Sequence, residues 1–260
     1  MTLYIYLIDL LQRVRTGFEY ASASQRNTDA GTATCISAPA ADDSGGYWCY
    51  VESKYAWYRF SWHKTINVPD LRRFPQVAGC NVSRVRLSRE MTRTLRNSET
   101  IDHGADSCIR LTSTTGLPIL KVAHPHALAR DRLRWEFEML KHMSNCSLSV
   151  PKYDPKPLTD STGIYAYRMQ KLHRLDFENL EQYRPQVAAA ISRVHAAQVS
   201  LGDLHPGNVM LDEEGNVVLI DFSYAGRLND PVPSHIPEYI YGGSPYIHTL
   251  ADEQRLETQF

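Results

Sequence analysis

Neither sign of charge dominates this chain. Its 260 residues hold 28 lysines and arginines against 29 aspartates and glutamates, a formal net charge of −1. Without a one-signed field, nothing general draws it to nucleic acid or to an anionic membrane. Long hydrophobic runs are also lacking. The apolar amino terminus, MTLYIYLIDLLQRVR, is interrupted by Asp9, has no basic leader and is too short to span a bilayer. It reads as an amphipathic helix or a buried strand. Paired cysteines are missing too: Cys35, Cys49, Cys80, Cys108 and Cys146 are odd in number and scattered, with no CxxC. That pattern disfavours a disulfide framework or a zinc site and fits a reducing compartment. These absences predict a soluble, cytoplasmic protein with no nucleic-acid or membrane partner, and they leave the oligomeric state open.

Residues 21–46, ASASQRNTDAGTATCISAPAADDSGG, carry almost no bulky apolar side chains. Such a stretch buries too little to offset its ordering entropy, which predicts a flexible linker. Aromatic residues crowd the following YWCYVESKYAWYRFSW, and Glu52-Ser53-Lys54-Tyr55 can turn between two strands. A hairpin over 47–67 follows, with its aromatics in a core. Farther on, Arg84, Arg86, Arg89, Arg93 and Arg96 leave Met91 and Leu95 to face inward on a helix that Ser88 would cap. The arginines read as a solvated face, with an anion- or partner-docking surface as the sharper alternative.

Strands and helices then alternate. Ser107–Thr114 and Leu117–Val122 read as strands, Ala127–Met143 as a helix, Ser161–Met169 as a strand and Pro185–Ala197 as a helix with proline in its first turn. Two short apolar runs follow, Val209–Leu211 and Val217–Ile220, separated by Asp212-Glu213-Glu214-Gly215-Asn216. That is the pattern of a β-hairpin. Its closure would bring Asp221, at the exit, near Asn208 at the entry, with Asp203 on the loop leading in. Two carboxylates and an amide oxygen at one loop edge suit a hard, oxygen-seeking cation such as Mg²⁺ with its phosphates.

The segment from Val199 to Gly226 resembles the catalytic core of the protein-kinase-like superfamily. The pattern H-R-D-L-x-x-x-N followed by D-F-G aligns with Leu201-Gly202-Asp203-Leu204-His205-Pro206-Gly207-Asn208 and then Asp221-Phe222-Ser223. The resemblance implies an α+β, two-lobed fold: a small β-rich N-lobe over 98–172 and a shortened, mostly helical C-lobe over 173–260, after an extension (1–97) of unknown role. It implies ATP and Mg²⁺ as cofactors. Asp203 would orient the attacking hydroxyl, with Asn208 and Asp221 holding the metal. Phosphoryl transfer needs mainly positioning and charge neutralisation, so few side chains suffice. It further implies Lys121 as the phosphate-binding lysine and Glu136 as its partner. Glu138 is the alternative, about 200° away around the helix. Gly104 would lie in the phosphate loop, and Met169, Gln170 and Leu172 around the adenine.

The sequence departs from the family in several places. The glycine-rich loop is reduced to IDHGADSCIRL, with Gly104 as its sole glycine; Leu201 and Gly202 replace the catalytic-loop histidine and arginine; Ser223 replaces a glycine. The wording GDLHPGN is similar to aminoglycoside phosphotransferases. Asp252 lies where the family begins the helix that anchors the catalytic loop. The chain stops soon after it, which leaves a small substrate, a minimal fold or lost activity. The leading expectation is an ATP-dependent phosphotransferase acting on a protein or small-molecule hydroxyl. The alternative is a pseudokinase, a nucleotide-binding or scaffolding module. An unrelated metal hydrolase ranks last, because Lys121 and Glu136 would then be coincidental.

Overall fold

The computed structural model describes residues 33–41, 45–66 and 71–260. The amino-terminal helix or strand, residues 21–32 and 42–44 of the expected linker, and residue 67 of the expected hairpin lie outside them. The architecture is α+β with antiparallel strand pairs. It divides into two compact units. One runs up to Ser113 and includes Lys121–His126 and Thr159–Gly163; the other holds Thr114–Leu120, Ala127–Leu158 and Ile164–Phe260. Three strands, β8 (Ile119–Ala123), β9 (Leu158–Asp160) and β10 (Gly163–Met169), are split by this division.

In the first unit, β1 (Thr34–Cys35) and β2 (Ala40–Ala41) pair with β3 (Gly46–Ser53), which pairs in turn with β4 (Ala56–His63) and through it with β5 (Cys80–Arg84). Part of the expected linker is therefore ordered. Ile36 is fully buried and its N–H donates to the Tyr50 carbonyl at 2.9 Å. Composition hides this, because three small or single apolar residues, Ala33, Cys35 and Ile36, are all buried. The β3–β4 turn is tighter than the tetrapeptide suggests. Ser53 faces Ala56 across the ladder, and only Lys54 and Tyr55 lie between, at φ 49° and 60°. Two successive left-handed residues make the hairpin turn whose twist matches its strands. The aromatics alternate inward as a half-buried strand requires: Phe60 and Trp62 join Ala33, Cys35, Cys49 and Val51 in one core.

Ser88 caps α1 (Arg89–Arg96) by accepting the Met91 N–H at 3.1 Å, and Met91 and Leu95 are buried while the five arginines are exposed. The chain then forms β6 (Ser98–His103) and β7 (Ser107–Thr112), an antiparallel pair. Arg110 on β7 is fully buried, and its charge is matched by Glu52 of β3, with Nη2 to Oε1 at 3.1 Å and Nη1 to Oε2. Its remaining donors reach Ser98 Oγ (2.8 Å), Thr100 Oγ1 (2.6 Å) and the Leu95 and Ser98 carbonyls (3.1 and 2.8 Å). A buried cation persists only when paired and hydrogen-bonded in this way. Residues on both sides of position 98 thus belong to one unit.

The second unit contains α2 (Ala127–Asn145), whose Leu133, Phe137, Leu140 and Met143 are buried at helical period. After β10 (Gly163–Met169) come β11 (His173–Arg174) and α3 (Arg184–Ala196), with Pro185 in the first turn. Next are β12 (Val199–Ser200), the hairpin β13 (Val209–Leu211) and β14 (Val217–Leu219), β15 (Gly226–Arg227) and α4 (Leu250–Gln259). Strands β11, β13 and β14 form one sheet, and β12 pairs with β15. No helix among the described residues is long and apolar enough to cross a membrane.

Candidate functional site

The β13–β14 hairpin forms with Val209 opposite Leu219 and Leu211 opposite Val217. Asp212 closes its turn: Oδ1 accepts the N–H groups of Glu214 (3.0 Å) and Asn216 (2.7 Å), and Gly215 supplies the left-handed residue at φ 81°. The opposite end of the hairpin gathers polar groups. The Asn208 carbonyl accepts the Ile220 N–H at 3.0 Å, and the Asn208 amide nitrogen donates to the Asp203 carbonyl at 2.9 Å. Asp221 follows immediately, in left-handed backbone at φ 60°, with Oδ1 accepting the Ser223 hydroxyl at 2.9 Å. Ser223 itself keeps a negative φ, so the freedom of the glycine it replaces is not used.

Asp203, Asn208 and Asp221 are therefore brought together. Burial, above all, pushes the Asp203 carboxyl above its ordinary value, and the charge of Asp221 adds to this; His205 and Arg255 pull the other way. Because the Asn208 nitrogen is committed to a carbonyl, Oδ1 is left as the acceptor end of that amide. The donor set is all oxygen. Among the described residues no three of His, Cys, Asp or Glu cluster as a metal cage. A cation here would lean on one carboxylate, one amide oxygen and the phosphates of a bound nucleotide, which is the manner of Mg²⁺. The residues fit that ion.

The loop bearing Asp203 is anchored by α4. Asp252 is fully buried, and its carboxylate accepts the Leu201 N–H (2.8 Å), the Gly202 N–H (2.9 Å), the Ser200 hydroxyl (2.9 Å) and His195 Nε2 (3.1 Å). One helical turn later Arg255 donates from Nη1 to the Gly202 carbonyl and to Asp203 Oδ1, both at 2.6 Å. Gly202 has φ 71°, and a Cβ there would lie 2.7 Å from both the Tyr224 carbonyl and the Tyr241 hydroxyl. Only glycine fits. His205 folds over the Pro206–Asn208 turn, its Nδ1 accepting the Gly207 N–H at 3.1 Å; a Cβ on Gly207 would lie 2.8 Å from the ring.

Among the other sequence-derived candidates, Glu136 is buried on α2 and accepts the Tyr167 hydroxyl of β10 at 2.9 Å. Burial and the Glu136 charge hold that phenol well above the usual tyrosine range. Glu138 is exposed, 4.0 Å from Lys141. Of the two glutamates only Glu136 lies inside. Lys121 is buried on β8, in the first unit. The Gly104 N–H donates to the Ser107 carbonyl at 2.8 Å and so serves the β6–β7 turn. Met169 ends β10 buried, the Gln170 N–H donates to the Lys152 carbonyl at 2.9 Å, and Leu172 is half-buried. Sequence reasoning missed Arg255, Tyr167 and His195. Arg255 had a signal, lying three residues beyond Asp252 and so on the same helix face.

Residues 154–229 match the model of a family described as the phosphotransferase enzyme family. The chain is 27% identical over 130 residues to the serine/threonine-protein kinase UCN of Arabidopsis thaliana, covering 44% of this chain and 31% of that protein. It is 26% identical over 179 residues to the maternal embryonic leucine zipper kinase of Xenopus laevis, covering 59% of this chain and 27% of the relative. The chain thus spans under a third of the length of these curated relatives.

Proposed function

From a chain that carries a domain of the protein-kinase-like superfamily, we propose an ATP-dependent phosphotransferase that moves the γ-phosphoryl group to the hydroxyl of a protein or small molecule. The observation that carries this reading is the junction at the hairpin's open end, where the Asn208 amide is tied to the Asp203 carbonyl and Asp221 follows β14. In this reading Asp203 receives the acceptor hydroxyl and orients its oxygen for attack. Asn208 and Asp221 hold Mg²⁺, which supplies charge neutralisation on the phosphates. Lys121 is assigned to the nucleotide phosphates and Glu136 to orienting that lysine. Tyr167 fixes the Glu136 carboxylate by its hydrogen bond. Met169, Gln170 and Leu172 are assigned to the adenine. A second reading, a nucleotide-binding or scaffolding module without catalysis, draws on Gly104, whose N–H is spent within its own turn.

Thermal shift with Mg²⁺–ATP and an assay of ATP turnover test the proposal together. Nucleotide at a hundred times its dissociation constant stabilises by about 2.7 kcal/mol. Asp221→Asn is expected to abolish the metal-dependent shift, and Asp203→Asn to keep the shift while losing turnover. Absence of any shift in the unaltered chain sinks the phosphotransferase reading and leaves only the scaffolding form of the second. A shift without turnover favours the second.

A further inference from the structure

The two oxygens of the Asp203 carboxylate are not equivalent. Oδ1 takes the 2.6 Å bond from Arg255 Nη1, whereas Oδ2 has His205 Nε2 at 3.9 Å, beyond hydrogen-bonding length. His205 Nδ1 accepts the Gly207 N–H, so the ring's N–H is on Nε2, facing Oδ2. A carboxylate left alone turns readily about its last torsion and exchanges its oxygens. A guanidinium in contact with one of them, and held by the Gly202 carbonyl at the same time, stops that turn.

On the reading of Asp203 as the group that receives the acceptor hydroxyl, we propose that Arg255 is a positioning residue. It clamps Asp203 through Oδ1 and reserves Oδ2 for the hydroxyl to be phosphorylated. Asp252 already fastens the Leu201 and Gly202 N–H groups, so the loop is anchored independently of Arg255. The bond to the carboxylate is what Arg255 adds. Its side chain is 23% exposed and borders a cavity of about 560 Å³ shared with Tyr241, His248 and Gln254. It is thus not sealed in the core, and a replacement there can be accommodated. Both bonds leave the same nitrogen, Nη1, so a lysine ammonium can replace part of the clamp, though on a shorter stem without the rigid guanidinium plane.

The test uses the purified chain with Mg²⁺–ATP and water as acceptor, reading released inorganic phosphate as kcat and KM for ATP. Variants are R255M, R255K, D203N and the double variant D203N/R255M. R255M should lower kcat by about tenfold or more, the scale of lost orientation, with KM for ATP within about twofold and the Mg²⁺–ATP thermal shift retained. R255K should recover part of kcat. Added to D203N, R255M should cost nothing further, because it acts through the group already removed. Should R255M not fold, R255Q takes its place with the same expectations. An unchanged kcat in R255M, a full additional loss on top of D203N, or loss of the thermal shift would each overturn the proposal while leaving Asp203's role standing. No phosphate release by the unaltered chain, or unchanged release by D203N, removes the reading of Asp203 and the proposal with it.

Discussion

Asp252→Ala takes four hydrogen bonds from a fully buried carboxylate, and the cost follows from where the orphaned donors can turn. The Ser200 hydroxyl can rotate to another acceptor, and His195, 18% exposed, can reach water. The Leu201 and Gly202 N–H groups cannot move without moving the backbone, and both residues are buried. Each buried donor left unmade costs about 1–3 kcal/mol, so the pair should cost roughly 4 kcal/mol. That is a large share of the ~5–15 kcal/mol that holds a domain folded. Asp252→Asn should lose less. Its carbonyl can take the place of Oδ2, which serves Leu201, Ser200 and His195, but its NH₂ then faces the Gly202 N–H. About 1–3 kcal/mol is expected there. Urea unfolding midpoints give the totals. Hydrogen exchange gives the location, because the Leu201 and Gly202 amides should lose protection first. An alanine variant within about 1 kcal/mol of the parent, or alanine and asparagine variants of equal stability, would show that the anchor is not carrying the loop.

Two further outcomes are expected in the first unit. Burial pushes the His124 ring down to about 4 from an ordinary 6.5, against the pull of the Ile36 and Ala105 carbonyls at 2.8 and 2.9 Å. The unfolded chain therefore takes up the proton first: stability is full above pH 6.5 and is lost as pH falls toward 4, by about 3 kcal/mol at one pKa unit per ~1.4 kcal/mol. Unfolding of the parent and of His124→Gln across that window checks this, and parallel profiles would refute it. Glu52→Ala should cost about 3–5 kcal/mol by stranding the Arg110 charge, whereas Glu52→Leu combined with Arg110→Met should be nearly neutral; denaturation midpoints decide, and equal losses in the two would contradict the ion-pair account.

What could be read from the sequence was mostly local. The period of Leu133, Phe137, Leu140 and Met143 predicts a helix over Ala127–Met143, and α2 extends it by two residues. The Asp212–Asn216 turn predicts the hairpin and hence the meeting of Asn208 with Asp221. Strand β6 escapes this kind of reading: SETIDH has one large apolar residue, Ile101, and it is 47% exposed. That strand is written in backbone pairing with β7, which leaves no hydrophobic alternation. The linker fails for a related reason, since the strands β1 and β2 borrow their order from β3. Within the site, Asp203 and Asn208 are close in sequence and legible. Arg255 meets Asp203 across 52 positions, and Tyr167 meets Glu136 across 31. No local pattern encodes contacts of that range.

Gly202 stands where the superfamily has an arginine that, in regulated members, gathers a phosphorylated activation segment. Here the position lacks the room for even a methyl group, with the Tyr224 carbonyl, the Tyr241 hydroxyl and Ile240 all against it. Reintroducing an arginine would require new backbone geometry at 202 and smaller neighbours at 240 and 241 in the same stroke, since each step alone is strained or leaves a cavity. Phosphate capture by an arginine at this point is out of reach of any single substitution.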